Sequence, residues 1–227
     1  MKKFEAIYQR TLDRKGGEKN LAALLPDNVH TPTELQSLAD DRYLAEMSKA
    51  VFKAGFSWKV VDLKWPGFEK AFWNFNIDRC AWMSPDDIDA LVVNKAIIRN
   101  HQKITSVLNN ATMILEIRES HGSFGKFIAD WPSADFIGLL SFLNKNGNRL
   151  GPRTSQYFLR FMGKDSFILS SVGVAALIDA GVVDRYPTSQ RDMKKVQEAY
   201  NIWQQESGLG LTQISKVLAL SIDTERT

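Results

Sequence analysis

Leu139–Gly163 reads LLSFLNKNGNRLGPRTSQYFLRFMG. The segment predicts a helix, a hairpin bounded by two glycines, and a second helix. Gly147 breaks the first helix after Asn146, where a left-handed residue fits. Leu150 is the single apolar residue between the glycines and is expected to plug the hairpin into the core. Gly151 is read as a tight turn that uses glycine's freedom at positive φ. Pro152 follows at the first helical position, where its missing N–H costs nothing. The amides of Arg153, Thr154 and Ser155 then fall at the open start of a helix. Free amides and the helix dipole make a ready anion site, to which Arg153 adds a full charge and the two hydroxyls add donors. Such a site holds a nucleic-acid phosphate without reading a base. The same glycine spacing also serves ordinary helix–helix connections, so the hairpin alone leaves both readings open.

Helical signals continue on both sides. Phe4, Ile7, Tyr8 and Leu12 recur at helical spacing. Thr31-Pro32-Thr33-Glu34 and Ser84-Pro85-Asp86-Asp87 are helix starts, each a hydroxyl residue followed by proline and acid. A helix is expected over Arg42–Lys53, stopping at Gly55. Lys64–Phe68 reads as a turn, followed by a short aromatic helix over Phe68–Phe75 whose rings are expected in the core. Asn94–Arg118 is the longest helical pattern. Further helices are expected over Gly122–Trp131, Phe167–Ala180, Ser189–Gln205 and Leu211–Leu220, and Ser133–Asn144 leads into the hairpin. No run alternates apolar and polar residues as a strand would, so the fold is expected to be all-α.

Composition narrows the function classes. Hydrophobic residues make up 44% and charged residues 24% of the 227, as in a globular protein. The formal charge is +3 and the pI about 8.9, which permits a nucleic-acid partner without demanding one. The single cysteine, Cys80, excludes an internal disulfide and fits a reducing, cytoplasmic setting. With three scattered histidines it also makes a zinc site a poor expectation, and no metal or cofactor is expected. No apolar run is long enough to span a bilayer, and Met1–Arg10 lacks the apolar centre of a signal peptide, so no membrane role is expected.

Trp58 follows the break at Gly55. A tryptophan beside a loop is either a core plug or a stacking platform for a base. Three segments then carry a resemblance: Ala54-Gly55-Phe56-Ser57-Trp58, Phe68-Glu69-Lys70-Ala71-Phe72, and Ala96-Ile97-Ile98-Arg99-Asn100-His101-Gln102-Lys103-Ile104. In order and spacing, from about Tyr43 through Gly163, the chain resembles the 3-methyladenine DNA glycosylase I family. That family lies within the helix-hairpin-helix DNA glycosylase superfamily. Residues 1–40 show no such likeness and are expected to form a divergent helical extension; 41–227 would be the glycosylase-like domain.

The resemblance implies a two-lobed helical protein that binds double-stranded DNA as a monomer. It implies that an alkylated adenine, 3-methyladenine, is flipped out and its N-glycosidic bond hydrolysed, since the bond is out of reach inside the stack. The hairpin residues Gly147, Leu150, Gly151, Arg153, Thr154 and Ser155 would meet phosphate, with Lys103 on a helix near the cleft. Trp58 would stack on the base.

Three departures accompany the likeness. The family's pocket glutamate, eight residues before the tryptophan, is Ala50 here, and Glu46, one turn earlier on the same helix face, is the nearest carboxylate and the candidate catalytic residue. The superfamily's aspartate after the second hairpin helix is missing from Leu169–Val174, with Asp165 too early. The zinc ligands are also missing. Three readings therefore stand: an alkyl-base glycosylase, a DNA- or damaged-base-binding protein that does not cut, and a helical domain without a nucleic-acid role.

Overall fold

The structure is a computed structural model and describes residues 1–223. In chain order its helices are α1 (Phe4–Lys15), α2 (Glu18–Ala22), α3 (Pro32–Ser37), α4 (Asp40–Lys53), α5 (Trp58–Ala71), α6 (Ile77–Ala81) and α7 (Pro85–Val93). They continue with α8 (His101–His121), α9 (Phe124–Asp130), α10 (Phe136–Asn146), α11 (Pro152–Phe161), α12 (Ser171–Asp179), α13 (Gln190–Ser207) and α14 (Leu211–Ser221). No strand occurs among the described residues, so the fold is all-α as expected. The chain divides into two compact units. One holds residues 1–29, 132–139 and those from 165 onward; the other holds 30–131 and 140–164.

The first unit packs α1 against α13 and α14. Trp203 is fully buried, and its indole N–H donates to the Lys2 carbonyl at 3.1 Å. Phe167 stacks on Tyr200 with ring centres 4.2 Å apart. Asp165 accepts the amides of Leu211 and Thr212, both at 2.8 Å, so its carboxylate caps the start of α14.

The second unit is built around α8, whose Ile104, Val107, Ala111 and Ile114 are fully buried. Against it lies α4, with Tyr43, Met47, Val51 and Phe52 buried in turn. Both expected helix starts form reciprocal caps: Thr31 with Glu34 on α3, and Ser84 with Asp87 on α7.

Four expectations are corrected. First, Lys64–Phe68 is not a turn, because α5 runs through Pro66. An interior proline costs a helix about 3 kcal/mol. Here a stacked aromatic column offsets it: Trp65 lies on Phe68 and Phe75, and Phe72 on both phenylalanines. Gly67 serves packing instead of turning, since a Cβ there would collide with the Ala96 carbonyl oxygen. Beyond the helix, Trp73, Asn74 and Phe75 take φ of 51°, 55° and 57°, a left-handed turn held by Arg42 donating to the Asn74 carbonyl at 2.6 Å.

Second, the long helix starts at His101 instead of Asn94. Asn100 caps it by accepting the Lys103 amide at 3.1 Å. Ile97 is buried from the preceding loop, which prolonged the helical spacing without a helix. Third, α12 begins at Ser171, with Ser170 accepting the Gly173 amide, and Phe167 lies in the non-helical segment before it. Fourth, neither hairpin glycine is left-handed: Gly151 has φ −62°, and the positive φ of 61° belongs to Arg149.

Candidate nucleic-acid interface

The hairpin is fixed from inside. Gly147 donates to the Leu143 carbonyl at 2.9 Å. A Cβ on Gly147 would collide with Leu150 and stand 2.7 Å from that same carbonyl, so glycine is required for packing. Leu150 is 1% exposed and plugs the hairpin as expected. Asn110 of α8, fully buried, clamps the tip: its oxygen accepts the Asn148 amide at 2.7 Å and its NH₂ donates to the Asn148 carbonyl at 3.1 Å. That clamp holds Arg149 in its left-handed conformation, which costs a non-glycine residue about 1–2 kcal/mol. The Arg149 guanidinium donates to Gln102 at 2.8 Å.

The second helix opens without a side-chain cap at Gly151. Gly151, Pro152 and Arg153 are exposed and Thr154 is half-buried. Ser155 is fully buried, and its hydroxyl donates to the Leu150 carbonyl at 2.8 Å and lies 3.1 Å from the Asn144 side-chain oxygen. The six hairpin candidates thus divide. Gly147, Leu150 and Ser155 build the hairpin, while Gly151, Arg153 and Thr154 present its outer surface.

Beside this surface lies a groove of about 720 Å³. One wall is the end of α4 with the turn Ala54–Trp58, and the other is the face of α11 carrying Arg153, Tyr157 and Phe161. Trp58 is the first residue of α5, placed by the left-handed Gly55 at φ 70°. It is 42% exposed and stands edge-on to Tyr157 and Phe161, with ring centres at 5.2 and 5.9 Å. The fold therefore brings Trp58 and the Arg153–Thr154 helix start to one cavity within one unit. In sequence they lie almost a hundred residues apart.

Charge in the groove is positive. The Lys53 ammonium lies 5.1 Å from the centre of the Trp58 ring and 5.6 Å from that of Phe161. It pairs with Asp62 at 3.0 Å, as does Lys49. Burial pushes the Asp62 carboxyl up, but the hydrogen bonds and charges of the two lysines outweigh it and hold the group below its ordinary value. Arg153 lies over the Tyr157 ring at 5.8 Å.

Ala50 lines the groove, whereas Glu46, one turn earlier on α4, does not. Burial raises the Glu46 carboxyl above its ordinary value against the pull of Lys49 and Lys53. Lys103 is 8% exposed, and its ammonium donates to the carbonyls of Phe52 at 3.1 Å and Ala54 at 2.6 Å. It pins the turn that carries Trp58, so the cation itself is committed to main chain. Desolvation, helped by Arg149, lowers its pKa.

Sequence reasoning missed Lys53, Tyr157 and Phe161. A signal was present: Arg153, Tyr157 and Phe161 recur every four residues and so share one face of α11. Phe158, Leu159 and Met162 on the opposite face are buried.

Residues 36–137 match the methyladenine glycosylase family. The DNA-3-methyladenine glycosylase of Haemophilus influenzae is 33% identical over 76 residues, which are 34% of this chain and 41% of that protein. DNA-3-methyladenine glycosylase 1 of Escherichia coli is 30% identical over the same length and with the same coverage. The chain thus spans about two fifths of the relatives it matches. The 8-oxoguanine DNA glycosylase of Methanocaldococcus jannaschii superposes with a TM-score of 0.55, over 93% of this chain and 91% of that one, at 14% identity. That last likeness is one of fold.

Proposed function

Starting from a chain that is, over residues 36–137, a divergent relative of the methyladenine glycosylases, we propose that it is a DNA base-excision glycosylase. On this reading it grips double-stranded DNA at the Gly151–Thr154 surface and receives an altered adenine, flipped from the duplex, in the groove beside Trp58. The observation that carries the reading is the shared cavity: a base-sized aromatic groove and an uncapped, arginine-bearing helix start open onto one another.

Each part has a physical task. The first-turn amides of α11 and Arg153 meet phosphate, which fixes register without reading sequence. Trp58 and Tyr157 offer ring surface to the extruded base, and a base–aromatic stack contributes about 1–3 kcal/mol. The groove excludes water around the base while the glycosidic bond is hydrolysed. For 3-methyladenine, the substrate named for both relatives, the leaving base is cationic in the nucleotide, so its departure needs little acid catalysis. Binding and orientation then supply the acceleration.

Ala50 favours a second reading, in which the same groove holds a damaged base without releasing it, because no carboxylate lines the groove among the described residues. One experiment separates the two. Duplex containing 3-methyladenine is incubated with the protein, and free base and duplex affinity are measured together. Base release well above the spontaneous rate supports the enzyme. Salt-dependent duplex binding without release supports the binding protein. Absence of both removes nucleic acid from the function.

A further inference from the structure

The hairpin carries a second exposed arginine, Arg149, on the other side of Leu150 and Gly151 from Arg153. It sits at φ 61°, where glycine fits at no cost, and the Asn110 clamp on Asn148 is what keeps an arginine there. Strained backbone that a structure goes out of its way to hold points to a use for the side chain it carries. The Arg149 guanidinium donates to a neutral partner, the Gln102 side chain at 2.8 Å, and forms no ion pair among the described residues. The carboxylates beside the groove, Glu46 and Asp62, face Lys49 and Lys53 instead. The two segments that meet at Arg149 and Gln102 are free of acid: the chain has no Asp or Glu between Asp89 and Glu116, and none between Asp135 and Asp165. Arg99, Lys145 and Arg153 are exposed cations of those same segments. Cations gathered without acids suit a polyanion. The neighbouring Lys103 is already committed to two carbonyls. Burial first, and the charge of Arg149 second, lowers its pKa, so an anion on Arg149 would relieve a like-charge repulsion.

We propose that Arg149 binds a second backbone phosphate of duplex DNA, separate from the one met by Arg153. The proposal rests on the base-excision reading and adds a contact to its grip on the duplex. A guanidinium presents a planar fork of donors that matches phosphate oxygens. Gln102 engages one nitrogen of that fork and so restrains the long side chain, while other donors are left for a phosphate. The two arginines are held by different means, Arg149 through the clamp from α8 and Arg153 in the first turn of α11. One phosphate contact fixes where a strand lies, and a second fixes its direction, again without reading sequence.

The test uses the full chain and two undamaged duplexes of unrelated sequence, titrated at several salt concentrations. The slope of log affinity against log salt counts phosphate contacts, at about 0.9 for each. Arg149→Gly removes the cation and suits the left-handed backbone, so the tip keeps its shape. Its slope is expected to be shallower than that of wild type by about 0.9 on both duplexes, with affinity at fixed salt lower by about tenfold. Arg149→Lys keeps the charge and should keep the wild-type slope. Added to Arg153→Gln, Arg149→Gly should remove about another 0.9. Melting curves confirm that each variant is folded. An unchanged slope in folded Arg149→Gly overturns the proposal, as does a slope in Arg149→Lys as shallow as in Arg149→Gly. A double variant no shallower than Arg153→Gln alone overturns it too, because one phosphate then serves both arginines. If Arg153→Gln lowers the slope and Arg149→Gly does not, the base-excision reading stands without this contact. If wild type binds neither duplex, that reading fails and the proposal fails with it.

Discussion

Replacing Trp58 with alanine separates a stacking platform from a core residue. Trp58 keeps 42% of its surface exposed, so its removal opens no closed cavity. What is lost from the folded state is two edge-on ring contacts, with Tyr157 and Phe161, and the cation–π contact with Lys53. At about 0.5–1.5 kcal/mol for each ring pair and about 0.5–1 kcal/mol for the cation, the folding cost is about 1.5–4 kcal/mol. For a chain of this length that lowers Tm by about 3–16 °C, leaving the protein folded at 25 °C. The effect on excision is of another kind. Losing a base–aromatic stack of about 1–3 kcal/mol slows single-turnover release of 3-methyladenine by one to two orders of magnitude, at about tenfold for each 1.36 kcal/mol. Affinity for undamaged duplex should change less than about twofold, because it rests on phosphate contacts at the hairpin. The assay follows free base, duplex affinity and melting on one preparation. Base release near the wild-type rate in a folded variant refutes the stacking role. A parallel fall of release and duplex affinity would show instead that the turn itself had collapsed.

Other substitutions probe the hairpin. Arg153→Glu should weaken binding to unrelated duplexes alike and lower the salt slope by about one, read from titrations at several ionic strengths; unchanged affinity would remove the helix start from the interface. Gly147→Ala should cost about 1–3 kcal/mol of stability in thermal melts, because its Cβ meets Leu150 and the Leu143 carbonyl inside a packed turn. Asn110→Ala should cost about 1–2 kcal/mol and speed hydrogen exchange at the Asn148 amide, since both clamp bonds vanish; an Asn148 amide as protected as in wild type would show that the tip holds itself.

Local chemistry was legible in the sequence wherever a feature depends on residues within one turn. The two capping boxes are such features, because Thr31 needs only Glu34 and Ser84 only Asp87. The Leu150 plug could be read too, as the lone apolar residue of a polar turn. Features set by distant neighbours were misread. Pro66-Gly67 has the composition of a turn, but what decides it is the Ala96 carbonyl lying against Gly67 and an aromatic column running down to Phe75. The positive φ of the hairpin falls on Arg149 and not on Gly151, because the clamp from Asn110 belongs to another helix. At the candidate site, Trp58 and Arg153 were each visible. That they share a groove, and that Lys53 stands between its rings, depends on α4 and α11 packing side by side.

The Lys103 pin has a consequence for how this surface can change over generations. The ammonium holds the turn after α4 through two main-chain carbonyls, those of Phe52 and Ala54. Every residue type supplies that carbonyl, so the hold is indifferent to side chains. Ala54, Phe56 and Ser57 can be exchanged while the wall keeps its position, and the groove can be relined for a different occupant without rebuilding its frame. The constraint is concentrated in a single lysine on another helix, and variation is left free where a ligand would feel it.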